Sequence, residues 1–164
     1  MNKIFRDGLW MAALITAFCF AGAELRAGQF SAAQAVVSAT EIPPSAQILP
    51  DQLIANMKKK GAEVPMILAV GSPRMYAQGH IPGAVTAGPG AQAEGQELLK
   101  SRVASVAKTK YIVIYCGCCP WTRCPNMGTA YLYLTRMGFK NVKALYLPTN
   151  FNQDWVSKGY PVEK

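Results

Sequence analysis

The sequence predicts an α/β fold with a mainly parallel central sheet flanked by helices. From residue 48 onward, short apolar runs alternate with segments of helical periodicity, as in chains built from βαβ units. The clearest strand is YIVIY at 111–115, which is entirely apolar or aromatic and rich in β-branched residues. A length of 164 residues suits one domain, and a hydrophobic fraction of 51% is sufficient for a buried core.

The predicted elements follow one another along the chain. Leu53, Ile54 and Met57 lie on one face of a helix predicted over 51–60, which Gly61 ends. The run PMILAV predicts a buried strand over 65–70. The remaining expected elements are a short helix at 74–78, a short strand at 84–87, a helix at 94–107, the strand at 111–115, a helix at 126–137, a strand at 142–147 and a closing helix at 151–158.

Charge and histidine content exclude several functional classes. Lys and Arg number 17 against 9 Asp and Glu, which gives a net charge of +8. Basic and aromatic residues do not interleave, so we interpret the charge as a solvated basic face and expect no nucleic-acid partner. The single histidine, His80, excludes a Cys2His2 finger and a three-histidine zinc site. A Ser-His-Asp triad would have to use this residue.

The first 23 residues have the pattern of a secretory signal peptide. Lys3 and Arg6 precede the apolar run LWMAALITAFCF, and the small-residue sequence AGA at 21–23 suits cleavage. This run is short for a membrane span, which needs about 20 residues, so we expect no stable membrane insertion after cleavage. An uncleaved N-terminal anchor is the alternative. The predicted organisation is a signal peptide at 1–23, a flexible linker at 24–44 and a domain at 45–164, located in the periplasm or secreted.

Four cysteines cluster directly after the 111–115 strand, in the sequence CGCCPWTRCP at 116–125. Ligands bind beyond the carboxyl ends of strands in open α/β sheets, and a following helix favours an anion there. A thiolate at such a place has a lowered pKa. Cys116 leaves the strand first and is therefore the predicted nucleophile. Gly117 lets loop amides turn inward, and Arg123 is a candidate cation for an anionic substrate. A pair of structural disulfides is the alternative.

Three segments resemble the rhodanese-like sulfurtransferase family. GHIPGA at 79–84 is similar to the family's signature turn, the strand ending in Cys116 is similar to the strand that carries its nucleophile, and Trp155 with GYPV at 159–162 is similar to its closing segment. The resemblance implies a rhodanese-like three-layer fold. It also implies that Cys116 carries sulfane sulfur as a persulfide, which passes from a small anionic sulfur donor to a thiol acceptor without a cofactor or a metal.

The resemblance also suggests roles for the neighbouring residues. The anion-binding loop would comprise Gly117, Trp121, Thr122 and Arg123, although Trp121 suits a core anchor equally well. The turn residues His80, Pro82 and Gly83 are expected to be structural. Two departures from the family pattern are the sequence AVG at 69–71, where the family has Asp-Val-Arg, and a cysteine loop that is longer than the family's six-residue loop.

The additional cysteines predict a role in releasing the sulfur. Cys119 is the expected resolving thiol because a C-x-x-C disulfide with Cys116 closes with little strain, and Cys124 is second. Cys118 is an auxiliary thiol, and a periplasmic reductant would reset the disulfide. Two other functional classes remain open at this stage: a thiol–disulfide redox protein that uses the C-x-x-C sequence, and a binder of Cu(I) or Zn(II) through the loop thiolates.

Overall fold

The computed structural model describes residues 36–59, 61 and 63–164. Within these residues, one sheet of five parallel strands has the spatial order β1-β5-β4-β2-β3. The strands are β1 (Gln47–Ile48), β2 (Met66–Ala69), β3 (Val85–Thr86), β4 (Ile112–Tyr115) and β5 (Val142–Leu145). The predicted α/β class and parallel sheet are therefore confirmed, and the sheet is parallel throughout.

Five helices cover the two faces of this sheet and give the expected three layers. They are α1 (Pro50–Lys58), α2 (Pro73–Gln78), α3 (Ala93–Arg102), α4 (Pro125–Arg136) and α5 (Phe151–Asp154). Leu99 of α3 and Leu134 of α4 belong to the apolar core on one face, whereas Leu53 of α1 and Phe151 of α5 belong to the core on the other. The sheet is thus buried between two helical layers.

The central strand β4 shows why this sequence forms a buried strand. Its four residues are all buried, and alternate side chains point to opposite faces. Ile112 and Ile114 contact the core beneath α3 and α4, whereas Val113 and Tyr115 contact the other core. Cys116 continues the alternation and belongs to the first core. Its thiol is thereby directed toward the side of the sheet that α4 covers.

The N-terminal boundary of the packed domain differs from the prediction. Residues 36–44 were expected to be part of a flexible linker, yet Ala39 and Ile42 are buried in the core. The Val37 amide donates to Thr129 Oγ1 at 3.0 Å, and the Ala39 amide donates to the Cys124 carbonyl at 3.3 Å. Gly128 allows this approach, because a Cβ there would lie 2.2 Å from the Ser38 carbonyl oxygen. The predicted signal peptide and linker residues 24–35 lie outside the described residues.

Two helices are shorter than their periodicity suggested. α3 ends at Arg102 rather than at 107, because Val103 leaves the helical conformation and is fully buried. The closing helix divides at Trp155 into α5 and a 3-10 turn over Val156–Lys158. Strand β1 was not predicted separately. In the part of the chain that the structure describes, no helix is sufficiently long and apolar to cross a membrane.

Candidate functional site

The candidate site lies at the carboxyl end of the two central strands. Cys116 follows β4 directly and is buried, with 5% of its surface exposed. Gly71 lies beside it, two residues beyond the end of the neighbouring strand β2. A Cβ at Gly71 would stand 3.2 Å from Cys116 Sγ, so the glycine leaves open the space in front of the thiol.

Three of the four loop thiols converge at this point. The Sγ atoms of Cys116, Cys118 and Cys124 all lie within 4.8 Å of one another, and those of Cys116 and Cys118 are 3.2 Å apart. Cys116 and Cys124 are buried, whereas Cys118 is exposed. All four cysteines of the loop are free thiols in this structure, so the alternative of two structural disulfides does not describe it.

Cys119 lies outside this group of three. Its Sγ contacts Cys118 Sγ at 3.2 Å and points toward the Arg123 carbonyl at 3.9 Å. C-x-x-C spacing alone predicts Cys119 as the partner of Cys116. In the structure it is Cys118, and not Cys119, whose Sγ contacts Cys116 Sγ, at 3.2 Å.

Asn126 contacts this cluster and was not singled out from the sequence. Its Nδ2 donates to Cys116 Sγ at 3.6 Å and to Cys118 Sγ at 3.9 Å. Its Oδ1 accepts from the Ala91 amide at 3.1 Å, which fixes the orientation of the side chain. Its position in the first turn of the helix after the cysteine loop was the available sequence signal. An amide donor here favours sulfur in its anionic form.

The three clustered thiols differ strongly in their pKa values. Hydrogen bonds from Cys116 and Cys124 lower the pKa of Cys118 from 9.0 to about 2. The hydrogen bond with Cys118 raises the pKa of Cys116 to about 12, and burial adds to that effect. The pKa of Cys124 is also raised, chiefly through its contacts with Cys116 and Cys118. The reduced cluster therefore holds its thiolate on Cys118, with the other two thiols as hydrogen-bond donors.

Two cavities give access to Cys116 and Cys118 in this cluster. A small one of about 30 Å³ is lined by Gly71, Met75, Tyr76, Cys116 and Phe151, among others. A larger cleft of about 600 Å³ shares Met75 and Phe151 with it and is also lined by Gly117 and Cys118. Besides the Cys118 thiolate, Lys164 is the only charged side chain among the described residues that line the two. The buried thiol thus meets a space for one small atom, and the exposed thiol meets a cleft for a larger molecule.

The predicted anion-binding loop is only partly at this site. Gly117 lines both cavities, and a Cβ on it would collide with Phe151 Cβ at 2.3 Å. Trp121 is instead buried, with its ring edge-on to Tyr146 at 5.0 Å between centroids. Thr122 is exposed and lines none of the cavities described here.

Arg123 lies at a different place from the one expected. It lines a separate cavity with Val36 and Pro125 rather than either cavity beside Cys116. The 3-10 turn over Trp121–Arg123 causes this difference, because it anchors its tryptophan in the core and directs the arginine outward. The sequence spacing alone does not predict that Trp121 is buried and that Arg123 is directed outward.

The signature turn is tied to the C-terminal segment. The backbones of His80 and Glu163 exchange two hydrogen bonds of 2.9 Å, and the His80 ring stacks on Tyr76 with centroids 3.9 Å apart. His80 Nδ1 lies 3.1 Å from the Tyr76 carbonyl oxygen. Gly83 adopts a φ of 73°, which favours glycine, and Pro82 precedes it in the same turn. All these contacts hold the polypeptide backbone in place.

A comparison with protein-family models finds one match. The model for the rhodanese-like domain matches residues 49–146, which is more than half of the chain. A search of curated proteins gave no match.

Solved structures with a similar fold cover most of the chain. The BH2092 protein from Bacillus halodurans is 24% identical, with a TM-score of 0.56 over 73% of this chain and 77% of that one. The rhodanese-like domain of the Alr3790 protein from Anabaena sp. is 24% identical, with a TM-score of 0.55 over 72% and 78%. A thiosulfate sulfurtransferase from Pseudomonas aeruginosa is 24% identical, with a TM-score of 0.52 over 72% of this chain and 19% of that one.

Proposed function

This chain belongs to the rhodanese-like domain family, and from that premise we propose that it is an exported sulfurtransferase that carries sulfane sulfur on Cys116. The observation that carries the proposal is the position of Cys116, at the end of the central strand with its thiol against an open space beside Gly71. The name of the Pseudomonas aeruginosa relative supports thiosulfate, or a related sulfane-sulfur donor, as the substrate class.

The loading step is a nucleophilic displacement at sulfur. The Cys116 thiolate attacks the outer sulfur of thiosulfate, a new S–S bond forms on Cys116, and the S–S bond of thiosulfate breaks. Sulfite leaves with the electron pair of that bond, so the overall charge is conserved. The Cys118 amide and Asn126 Nδ2 face Cys116 Sγ, which supports stabilisation of its anionic states.

Cys116 must lose its proton before this step, because only the thiolate is nucleophilic. The neighbouring Cys118 thiolate is too weak a base to accept that proton, since the pKa of Cys118 lies far below that of Cys116. We propose that the proton passes to solvent through the small cavity that Cys116 lines.

Cys118 is the proposed resolving thiol, in place of Cys119. After loading, the Cys118 thiolate attacks Cys116 Sγ and a Cys116–Cys118 disulfide forms, while the outer sulfur takes up a proton from solvent and leaves as hydrosulfide. An external thiol acceptor that enters the 600 Å³ cleft competes for the outer sulfur. The disulfide then needs two electrons from a dithiol reductant, which we propose to be a periplasmic protein.

Mass spectrometry of the reduced protein after a stoichiometric amount of thiosulfate tests the proposal. The wild-type protein should gain one sulfur atom transiently, then lose it again and end two hydrogen atoms lighter than the reduced protein, as the disulfide forms. Cys118→Ser should gain the sulfur and keep it, because its resolving thiol is absent. Cys116→Ser should gain none.

Cys119→Ser is the matched control, since it removes a neighbouring thiol outside the group of three and should behave like the wild type. A gain of sulfur by Cys116→Ser at the wild-type rate would contradict the assignment of Cys116 as the nucleophile. A disulfide that joins Cys116 to Cys119 in the peptide map would restore the prediction made from spacing and remove Cys118 as the resolving thiol.

A further inference from the structure

We propose that Cys116, Cys118 and Cys124 also form a three-sulfur binding site for a soft monovalent metal ion, Cu(I). This inference does not depend on sulfur transfer. Its basis is the convergence of three thiols that come from two different segments: the end of β4 and the residue that precedes α4. All three Sγ atoms lie within 4.8 Å of one another.

The spacing suits one metal ion at the centre of the three sulfurs. A metal–thiolate bond is about 2.3 Å long, so three sulfurs in a plane around one ion lie about 4.0 Å from one another. The separations in this cluster begin at 3.2 Å for Cys116 and Cys118 and reach at most 4.8 Å, which brackets that value. Changes of less than about 1 Å in these sulfur–sulfur separations would bring all three sulfurs to bonding distance from one ion.

The ligand types favour Cu(I) over harder or more highly coordinated ions. Thiolates alone are a soft ligand set, whereas carboxylates and carbonyls suit magnesium or calcium. Zn(II) takes four ligands in structural sites, whereas Cys119 Sγ contacts Cys118 Sγ, at 3.2 Å, and lies outside the set of three sulfurs that are all within 4.8 Å of one another. The only histidine, His80, stacks on Tyr76 and is fixed in the signature turn. A planar three-sulfur site is therefore the arrangement that this cluster offers.

The surroundings accommodate the charge of the complex. Cys118 is already a thiolate, and Cys116 and Cys124 release their protons to solvent, so one Cu(I) with three thiolates carries a net charge of −2. The amide of Asn126 donates to Cys116 and Cys118. Cys124 is the residue that immediately precedes the twelve-residue helix α4, at the helix end where negative charge is stabilised. Two of the three sulfurs are buried, which shields the ion from competing water ligands.

The test is a competition titration with Cu(I) and a coloured Cu(I) chelator, under anaerobic conditions on the reduced protein. The wild-type chain should withdraw one Cu(I) from the chelator. Cys118→Ser removes an exposed ligand and should weaken binding by more than about 100-fold, since loss of a side chain that only supports a ligand already costs 10- to 100-fold. Cys124→Ser should have the same effect, and circular dichroism verifies that each variant is folded.

Cys119→Ser is again the matched control and should bind Cu(I) with wild-type affinity. Asn126→Ala, which removes a donor to two ligands, should weaken binding by about 10- to 100-fold. The proposal is overturned if Cys118→Ser binds as tightly as the wild type, or if Cys119→Ser loses as much affinity as Cys118→Ser. Tight binding of Zn(II) that requires all four cysteines would also overturn it, in favour of a tetrahedral zinc site.

Discussion

Replacement of Gly71 by alanine should abolish persulfide formation while leaving the fold intact. The methyl carbon would stand 3.2 Å from Cys116 Sγ and 3.9 Å from Cys116 Cα. Gly71 lies outside the set of glycines with a left-handed backbone, so alanine brings no conformational strain there. The substitution therefore acts on the space in front of the thiol.

The size of the effect follows from bond lengths. An S–S bond is about 2.05 Å long, so an outer sulfur directed at the new methyl would come within about 1.2 Å of it. The small cavity of about 30 Å³ has no room for the sulfur to move aside. A misplacement of 1 Å at a reacting atom can cost about 100-fold in rate, and we expect at least that loss. The added methyl group should destabilise the fold by only about 1–3 kcal/mol.

The assay is the rate of sulfur incorporation from thiosulfate, measured by intact mass beside the free energy of unfolding. Ser72→Ala is the matched control, because Ser72 Oγ caps α2 through the Met75 amide at 3.3 Å. Its loss should cost about 1 kcal/mol without placing a methyl group against Cys116. Incorporation at the wild-type rate in Gly71→Ala would refute the reasoning, since the outer sulfur would then occupy another space.

Three other predictions test neighbouring features. In the metal-free reduced protein, iodoacetamide should label Cys118 first, at a rate that is nearly constant from about pH 5 to pH 8. The lowered pKa of about 2 keeps the Cys118 thiol ionised throughout this range. A labelling rate that rises about tenfold per pH unit, as for an ordinary thiol, would contradict this prediction. His80→Ala should lower the unfolding free energy by about 1–3 kcal/mol in denaturant titrations and leave sulfur incorporation unchanged. The secreted protein should begin near Glu24 by N-terminal sequencing; an intact Met1 on a membrane-bound species would contradict export.

Periodicity and turn residues were sufficient to predict the layered fold. The strand over Ile112–Tyr115 was recognisable because both its faces are buried and all its residues are apolar or aromatic. The two-residue strand β1 was not, because two residues carry no period. The segment at 36–44 was missed for a different reason. Its small and polar residues resemble a linker, and only the groove that Gly128 opens in α4 turns them into packed structure.

The position of the site was predictable from the sequence, whereas the pairing of its thiols and the direction of Arg123 were not. The strand end and the cysteine cluster together identify the place and favour Cys116, because both signals are local in sequence. The pairing of thiols depends on how the loop folds over Gly117, and C-x-x-C spacing favoured Cys119 where the shortest contact of Cys116 is with Cys118. The outward position of Arg123 depends on the burial of Trp121, which sequence alone left undecided.

Sulfur transfer and Cu(I) binding should exclude each other, because both use the same atom, Cys116 Sγ. A metal-bound thiolate has donated the electron pair with which it would attack thiosulfate, and an outer sulfur on Cys116 would crowd the ion from Cys118 and Cys124. One equivalent of Cu(I) should therefore stop the gain of sulfur in proportion to the fraction of sites filled. Addition of a Cu(I) chelator should restore it fully. Sulfur incorporation on Cys116 in fully Cu(I)-loaded protein would mean that the ion is held elsewhere, even if the titration had given one ion per chain.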